Sequence, residues 1–513
     1  MKKSNTFSTI ESIFFYITIV LTTFFIFYPV YLPMVDLPQH ASQVAILDDL
    51  LKNNSPWVDL VKINWDTPYL LAYLIWLAFH QIFDINTSSK IIVALSFLIY
   101  TYSFRLLRQQ FQAPQSVEWV ALTVFFGLAF QWGFLTFLLA TPIGIFFFLA
   151  VKNWIHYQNK YYFILYTLLG TLSYFSHILI FCFFCFLSYS YFIACNITDN
   201  KKFTWKKRII FTIPYLIFAF LLYRYANKPD ILNTNYYPTG YITHPIYIKV
   251  LGLLYMPWNM QPLDHYNIAF ITLLILPPFI GLKPRKQIEY YIPLLCFLII
   301  WFTLPRMSFQ TGFIYQRFSL FFVPFYYLVW QERKVYKKWD YSLFQLAYIA
   351  FFISISGLMF KVYYNNFKFH TDISTKNFIK ITQKMDKQKK VLYIMDFFAV
   401  SGSLTSKYEY AHFASWYQAE KQGWVDFNFA AFRPQIVRFK PEKLSSIRPD
   451  TFYNSKEDIN KLKGCNNYDY ILFNTIHSPK TIKIWLKDNP ANCKNLNIKD
   501  NFGTWILFEN ENT

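Results

Sequence analysis

The chain has 513 residues, of which 55% are hydrophobic and 22% aromatic, with 58 Phe and 40 Tyr but only 13 Gly. A composition so compatible with lipid excludes an ordinary soluble protein and predicts a polytopic membrane protein. The formal net charge of +20 comes mainly from basic loops between apolar segments and from a lysine-rich C-terminal region. No nucleic-acid-binding signature accompanies this charge, so we expect no nucleic-acid partner.

The first apolar segment, residues 13–35, contains no charged residue and is long enough to cross a bilayer, which takes about 20 residues. Lys2 and Lys3 precede it, as in a signal peptide. However, the segment is longer than a usual signal-peptide core and has no small-residue cleavage site. We therefore interpret it as a retained transmembrane helix.

A polar stretch, DLPQH, follows this segment directly. Asp36 is a suitable N-cap for a helix over about residues 37–52, with Pro38 in its first turn and Gln39 completing a capping box. The helix is predicted to be amphipathic and to rest on the membrane surface. His40 lies one turn after Asp36 and faces the same way. The acid is therefore either a cap or a functional group placed where lipid meets water.

More apolar segments follow along the chain. They lie at 67–83, 91–107, 117–131, 133–151, 161–175, 177–194, 209–223, 266–282, 288–304, 318–330 and 341–361, with a weaker one at 248–260. In the first half of the chain, this number of segments does not agree with the sides of the membrane that the basic residues indicate. We predict 11 to 13 spans and therefore a mainly α fold, a transmembrane helix bundle.

Basic loops indicate which ends of these segments lie in the cytoplasm. Residues 201–208, 283–286 and 332–338 are rich in Lys and Arg, and the positive-inside rule places them inside. The last apolar segment then runs outward, and everything after about residue 366 lies on the exoplasmic side. The N-terminal lysines place the first loop, residues 36–66, on that side as well.

The C-terminal region has a different composition and is predicted to be an exoplasmic α/β domain. We expect a transmembrane domain over residues 1–365 and this second domain over residues 366–513. The second domain has strand-like runs at 390–397, 468–475 and 504–510 and amphipathic stretches at 373–388 and 479–488.

The cysteines divide between the two predicted domains. Cys465 and Cys493 lie in the C-terminal region and form either a disulfide, as suits an exported domain, or two free thiols. The other four lie in apolar segments and are interpreted as packing residues.

In plan, the chain resembles the GT-C type of membrane glycosyltransferases, most closely the aminoarabinose and protein O-mannosyl transferases. The shared features are the acid after the first span, within the D-x-P-x-H stretch at Asp36, the long first exoplasmic loop, the many helices and the C-terminal exoplasmic domain. The resemblance implies a bacterial inner-membrane enzyme that moves a sugar from a polyprenyl-phosphate donor to an exoplasmic glycan or lipid acceptor. Leu37 and Pro38 stand where those enzymes carry a second acid, so no metal or other cofactor is assigned, although a divalent metal is compatible with the family.

The same resemblance implies roles for particular residues. Asp36 would be the general base, and His40 would orient Asp36 or contact the lipid phosphate. The leaving phosphate needs a cation, for which Arg317 is the first candidate ahead of Arg224 and Arg306. The alternative for these arginines is that they extend to lipid headgroups.

Three further residues are candidates for substrate binding. Asp66 begins an apolar segment and is either a cap or a second acid. His177 interrupts apolar residues and is either functional or bonded to a backbone carbonyl. His244 lies in the loop 224–265, which is a candidate acceptor cleft. In the C-terminal region, residues 366–513 and called the tail below, Trp416 and Trp424 are either stacking surfaces for sugars or core residues.

Two other functions fit the same plan. One is a transporter or flippase of a lipid-linked glycan, which would be expected to have broken helices in two repeated halves. The other is a glycan polymerase or ligase, which would be expected to have a large loop late in the chain. Neither feature is evident in the sequence.

Overall fold

The structure, a computed structural model, describes residues 5–198, 203–227, 241–259, 264–308, 311–333, 340–396, 408–446, 465–488, 493 and 496–510. The helices are α1 Asn5–Phe27, α2 Leu37–Leu51, α3 Leu70–His80, α4 Ile85–Phe111, α5 Ser116–Val124, α6 Leu128–Gln131, α7 Leu135–Tyr157, α8 Lys160–Ser176, α9 Ile178–Thr198, α10 Trp205–Ala226, α11 Ile246–Tyr255, α12 Asn267–Ile275, α13 Ile292–Thr303, α14 Ser319–Leu328, α15 Asp340–Thr371, α16 Ile373–Gln383, α17 Ser415–Lys421 and α18 Pro479–Lys487. The strands are β1 Val61–Ile63, β2 Leu282–Pro284, β3 Trp330–Glu332, β4 Lys390–Met395, β5 Trp424–Val425, β6 Val437–Phe439, β7 Tyr470–Asn474, β8 Leu496–Phe502 and β9 Trp505–Asn510.

The chain is a multi-pass membrane protein. Within the described residues, six helices are long and apolar enough to cross a bilayer: α1, α4, α7, α9, α10 and α15. Most of the apolar surface of α1 and α10 is not covered by protein, as expected for helices that face lipid.

The six full-length helices are fewer than the 11 to 13 predicted spans because several apolar segments form short or broken helices. Helix α12 has only 9 residues and α3 has 11. At about 1.5 Å per residue, each covers roughly half of a hydrocarbon core about 30 Å thick. The predicted span 117–131 breaks into α5 and α6 near Gly127, where an added Cβ would lie 1.9 Å from the carbonyl oxygen of Pro257.

The C-terminal region contains the predicted mixed α/β structure. Its five-stranded sheet has the order β5-β4-β7-β9-β8, with β4 parallel to β5 and β7 and the other pairs antiparallel. The three predicted strands correspond to β4, β7 and β9, and the two predicted helices to α16 and α18. Cys465 and Cys493 form a disulfide, with their Cα atoms 5.3 Å apart, which confirms the first of the two alternatives.

Helix α2 lies inside the protein, between the bundle and the C-terminal region. Residues from Leu37 to Asp48 are buried, with α17 packed on one side and α3 and α4 on the other. Strand β1 of the first loop pairs with β6, which places Val61 opposite Phe439. The predicted helix is therefore confirmed, but its predicted position on the membrane surface is wrong. The C-terminal region contacts α2 from its start, through Gln39.

Candidate functional site

The backbone at Asp36 is fixed by the turn between α6 and α7. The N–H of Val35 donates to the carbonyl of Gln131, and the N–H of Asp36 donates to that of Trp132, both at 3.0 Å. The next residue of this turn, Gly133, has a φ of +77°, and a Cβ there would lie 2.8 Å from the Asp36 nitrogen. The close approach and the left-handed backbone both require glycine at this position.

The side chain of Asp36 does not cap α2, although the residue directly precedes the helix. Gln39 does not complete a capping box either. Its amide instead donates to the carbonyl of Phe427 at 2.7 Å and accepts from the N–H of Phe429 at 2.9 Å. The capping explanation of the polar stretch is therefore wrong. The carboxylate is available for another purpose, and its side chain is 14% exposed.

Arg317 supplies a positive charge close to this carboxylate. Its guanidinium lies 3.8 Å from the centroid of the Phe134 ring and donates to the carbonyl of Gly312 at 3.0 Å. The Nε–H is buried and has no hydrogen-bond partner among the described residues. Burial raises the pKa of Asp36 to about 7, although the charge of Arg317 acts in the opposite direction.

His177 and Tyr69 lie beside Arg317. The two rings stack with their centroids 4.6 Å apart, and His177 is completely buried. Burial and the charge of Arg317 lower the pKa of His177, so the ring is neutral. Its Nδ1 accepts from the N–H of Leu179 at 3.2 Å, which leaves the proton on Nε2. That Nε2–H has no hydrogen-bond partner within the described part of the chain.

His40 is a neutral ring with a fixed tautomer. Burial lowers its pKa to about 3, and the charge of Arg317 acts in the same direction. The Tyr73 hydroxyl donates to Gln435 and therefore accepts from Nδ1–H of His40, at 2.8 Å. The Nε2 of His40 thus carries a lone pair.

Four of the six predicted site residues come together: Asp36, His40, His177 and Arg317. The charge of Arg317 acts on each of the other three. Asp66 is engaged elsewhere, in an exposed ion pair with Arg224 at 2.9 Å. His244 bonds to the Tyr315 hydroxyl at 2.6 Å and so supports the turn that carries Arg317.

The sequence did not single out the tail residues of the site. The Nε2 atom of His412 lies 3.5 Å from Oδ1 of Asp36, and Gln435 ends the hydrogen-bond chain from His40. In this region the sequence pointed only to Trp416 and Trp424. Trp416 and Trp424 are 0% and 1% exposed, so they are core residues and not sugar platforms.

A metal centre built from the usual side chains is not present in the described residues. No group of three or more His, Cys, Asp or Glu side chains there lies close enough to hold an ion together.

No known protein family and no curated protein matches the sequence. The structure, in contrast, is similar to a crystal structure of ArnT from Cupriavidus metallidurans bound to undecaprenyl phosphate. The likeness covers 98% of both chains, with a TM-score of 0.50 and 8% sequence identity. The chain therefore shares the mainly helical fold of that protein, with a C-terminal mixed sheet, which confirms at the level of fold the resemblance seen in the sequence.

Proposed function

We propose that the protein is a membrane glycosyltransferase that moves a sugar from a polyprenyl-phosphate donor to a hydroxyl group of an exoplasmic glycan or lipid. The observation that carries this proposal is the mostly buried carboxylate of Asp36, which does not cap α2 and lies beside the charge of Arg317. The ArnT structure with the same fold holds undecaprenyl phosphate, which supports a lipid phosphate as the carrier.

Asp36 is the proposed general base. The acceptor oxygen attacks C1 of the sugar, the bond from C1 to the phosphate oxygen breaks, and Asp36 takes the acceptor proton. Attack opposite the leaving group inverts the configuration at C1. A base is most effective when its pKa lies near the working pH, and burial brings the pKa of Asp36 to about 7.

Arg317 and His177 are the proposed partners of the leaving phosphate. Both present a buried N–H without a hydrogen-bond partner in the described structure, and Arg317 adds a positive charge. Donors fixed in advance where negative charge develops stabilise the transition state without further rearrangement. The neutral ring of His40 also lies within the influence of Arg317.

The test is a transfer assay with the full-length protein in lipid nanodiscs and a polyprenyl-phosphate sugar as donor. We expect release of free polyprenyl phosphate that depends on an added acceptor. The rate should rise with pH and level off above about 7, because Asp36 accepts a proton only in its ionised form. Movement of the donor lipid across the membrane without its consumption would instead indicate a flippase.

We also propose that the tail and the Asp36 site face the exoplasmic side of a bacterial cytoplasmic membrane. The basic loops support this orientation. A phosphatase reporter that is active only outside the cytoplasm should be active when fused after Gln383, at the end of α16. The same reporter fused after Arg333 should be inactive. The reverse pattern would overturn the orientation.

A further inference from the structure

His412 is a tail residue that touches the proposed general base. Its Nε2 lies 3.5 Å from Oδ1 of Asp36, and the residue is only 7% exposed. The ring lies flat on Phe427, with centroids 4.7 Å apart and an angle of 8°, and edge-on to Phe429 at 5.9 Å. Two aromatic rings thus determine the plane of the imidazole.

The tail that carries these rings is bonded to the helix that follows Asp36. Gln39 bonds to the backbone of both Phe427 and Phe429, and the side-chain oxygen of Gln43, one turn later, accepts from the N–H of Val437 at 2.9 Å. These contacts link residues almost 400 positions apart in the chain. The distance between His412 and Asp36 is therefore fixed by the tertiary structure and not by local flexibility.

The protonation state of His412 determines what it offers to Asp36. Burial lowers the pKa of His412 to about 3, so the ring is neutral near pH 7 and has a single N–H. An ionised carboxylate only accepts hydrogen bonds. The nitrogen that faces Asp36 is Nε2, so the contact is favourable when the proton is on that atom.

We infer that His412 is a positioning residue that donates from Nε2–H to Oδ1 of Asp36 and so holds the other carboxylate oxygen, Oδ2, toward the acceptor hydroxyl. The inference rests on the proposed function only in its assignment of Asp36 as the base. The C-terminal region then supplies part of the active site instead of only covering it.

The inference predicts how the ionisation of Asp36 responds to changes at His412. A hydrogen bond to the ionised form favours that form, so its loss should raise the pKa of Asp36 further. Within the described residues, the other charged or titratable groups coupled to Asp36 are Arg317 and Tyr73, with His40 one helical turn away, and a His412 variant retains all three.

The experiment titrates the Asp36 carboxyl by infrared difference spectroscopy, with the band assigned by its loss in Asp36→Asn. In His412→Leu we expect the midpoint to rise by about one pH unit, and the rate at pH 7 to fall about 5-fold, because the ionised fraction of Asp36 falls from about one half to about one tenth, with little change in KM for the donor. His412→Gln, which keeps a donor, should restore most of the wild-type midpoint. His477→Leu is the matched control, because that exposed histidine lies 3.9 Å from a different acid, Asp396.

The infrared midpoint separates this inference from the proposed function, since it does not require transfer activity. An unchanged midpoint in His412→Leu would overturn the inference even if Asp36 proves to be the base. If the Leu variant does not accumulate, Phe427→Leu keeps the imidazole but removes its stacking partner. That variant should shift the midpoint in the same direction by less, and an unchanged midpoint there would equally overturn the inference.

Discussion

Asp36→Asn is expected to reduce sugar transfer by about 10²- to 10⁴-fold, the range that a general base contributes. The amide has the same shape as the carboxylate but cannot accept the proton of the acceptor hydroxyl. The variant should fold, because the carboxylate makes no capping bond and the residue is held through its backbone N–H to Trp132. The measurement is the initial rate of transfer from a polyprenyl-phosphate sugar, beside protein yield and melting temperature.

Two companion variants sharpen this prediction. Asp66→Asn is the control, because Asp66 forms an exposed ion pair with Arg224, and such pairs contribute only about 0–1 kcal/mol. It should keep near-normal transfer. Asp36→Glu moves the carboxylate by about 1 Å and should lose roughly 10²-fold, since transfer depends on the position of the base. Near-normal transfer by Asp36→Asn would remove Asp36 from the chemistry, and failure of that variant to accumulate would show a structural role.

The sequence pointed to Asp36 but left its role ambiguous, for a physical reason. An acid followed by Pro38 and Gln39 fits the first turn of a helix whether or not the side chains cap it. Gln39 does not complete a capping box, because its side chain bonds to the backbone of Phe427 and Phe429 in the tail. A partner 388 residues away cannot be seen in a local pattern.

Fewer full-length helices than predicted spans are found among the described residues, for a related reason. Hydropathy shows where a segment is apolar, but not where its helix breaks. The break between α5 and α6 depends on the backbone of Gly127 lying against the carbonyl of Pro257, which is a tertiary contact. The tail strands β4, β7 and β9 were easier to predict, because each is a continuous apolar run buried on both faces.

Which candidate site residues lie together could be predicted only in part from their positions in the chain. His40 could be placed beside Asp36 from the helical repeat alone. Arg317 and His177 were candidates only because they adjoin apolar segments. His412 gave no such signal, since its contact with Asp36 depends on how the tail folds back over α2. Contacts made by the C-terminal region are therefore the ones that sequence reasoning misses here.

Arg317→Gln is expected to lower kcat/KM for the polyprenyl-phosphate donor by about 10²- to 10³-fold, the range seen when one fixed donor to a developing negative charge is removed. Arg317→Lys should recover little, because an ammonium group lacks the planar fork and cannot stack on Phe134 as the guanidinium does at 3.8 Å. Arg306→Gln is the matched control, since that arginine is exposed in the same loop, 6.0 Å from the Phe313 ring.

The Arg317 variants also carry a signature in pH that a loss of folding would not produce. The positive charge of Arg317 lowers the pKa of Asp36 against the larger effect of burial. Removing the charge should therefore raise the pKa of Asp36 above about 7, and the rate should reach its plateau at a higher pH than in the wild type. Arg306→Gln should leave both the donor KM and this plateau unchanged. A fall in transfer without any shift of the pH profile would place Arg317 away from Asp36 during the reaction.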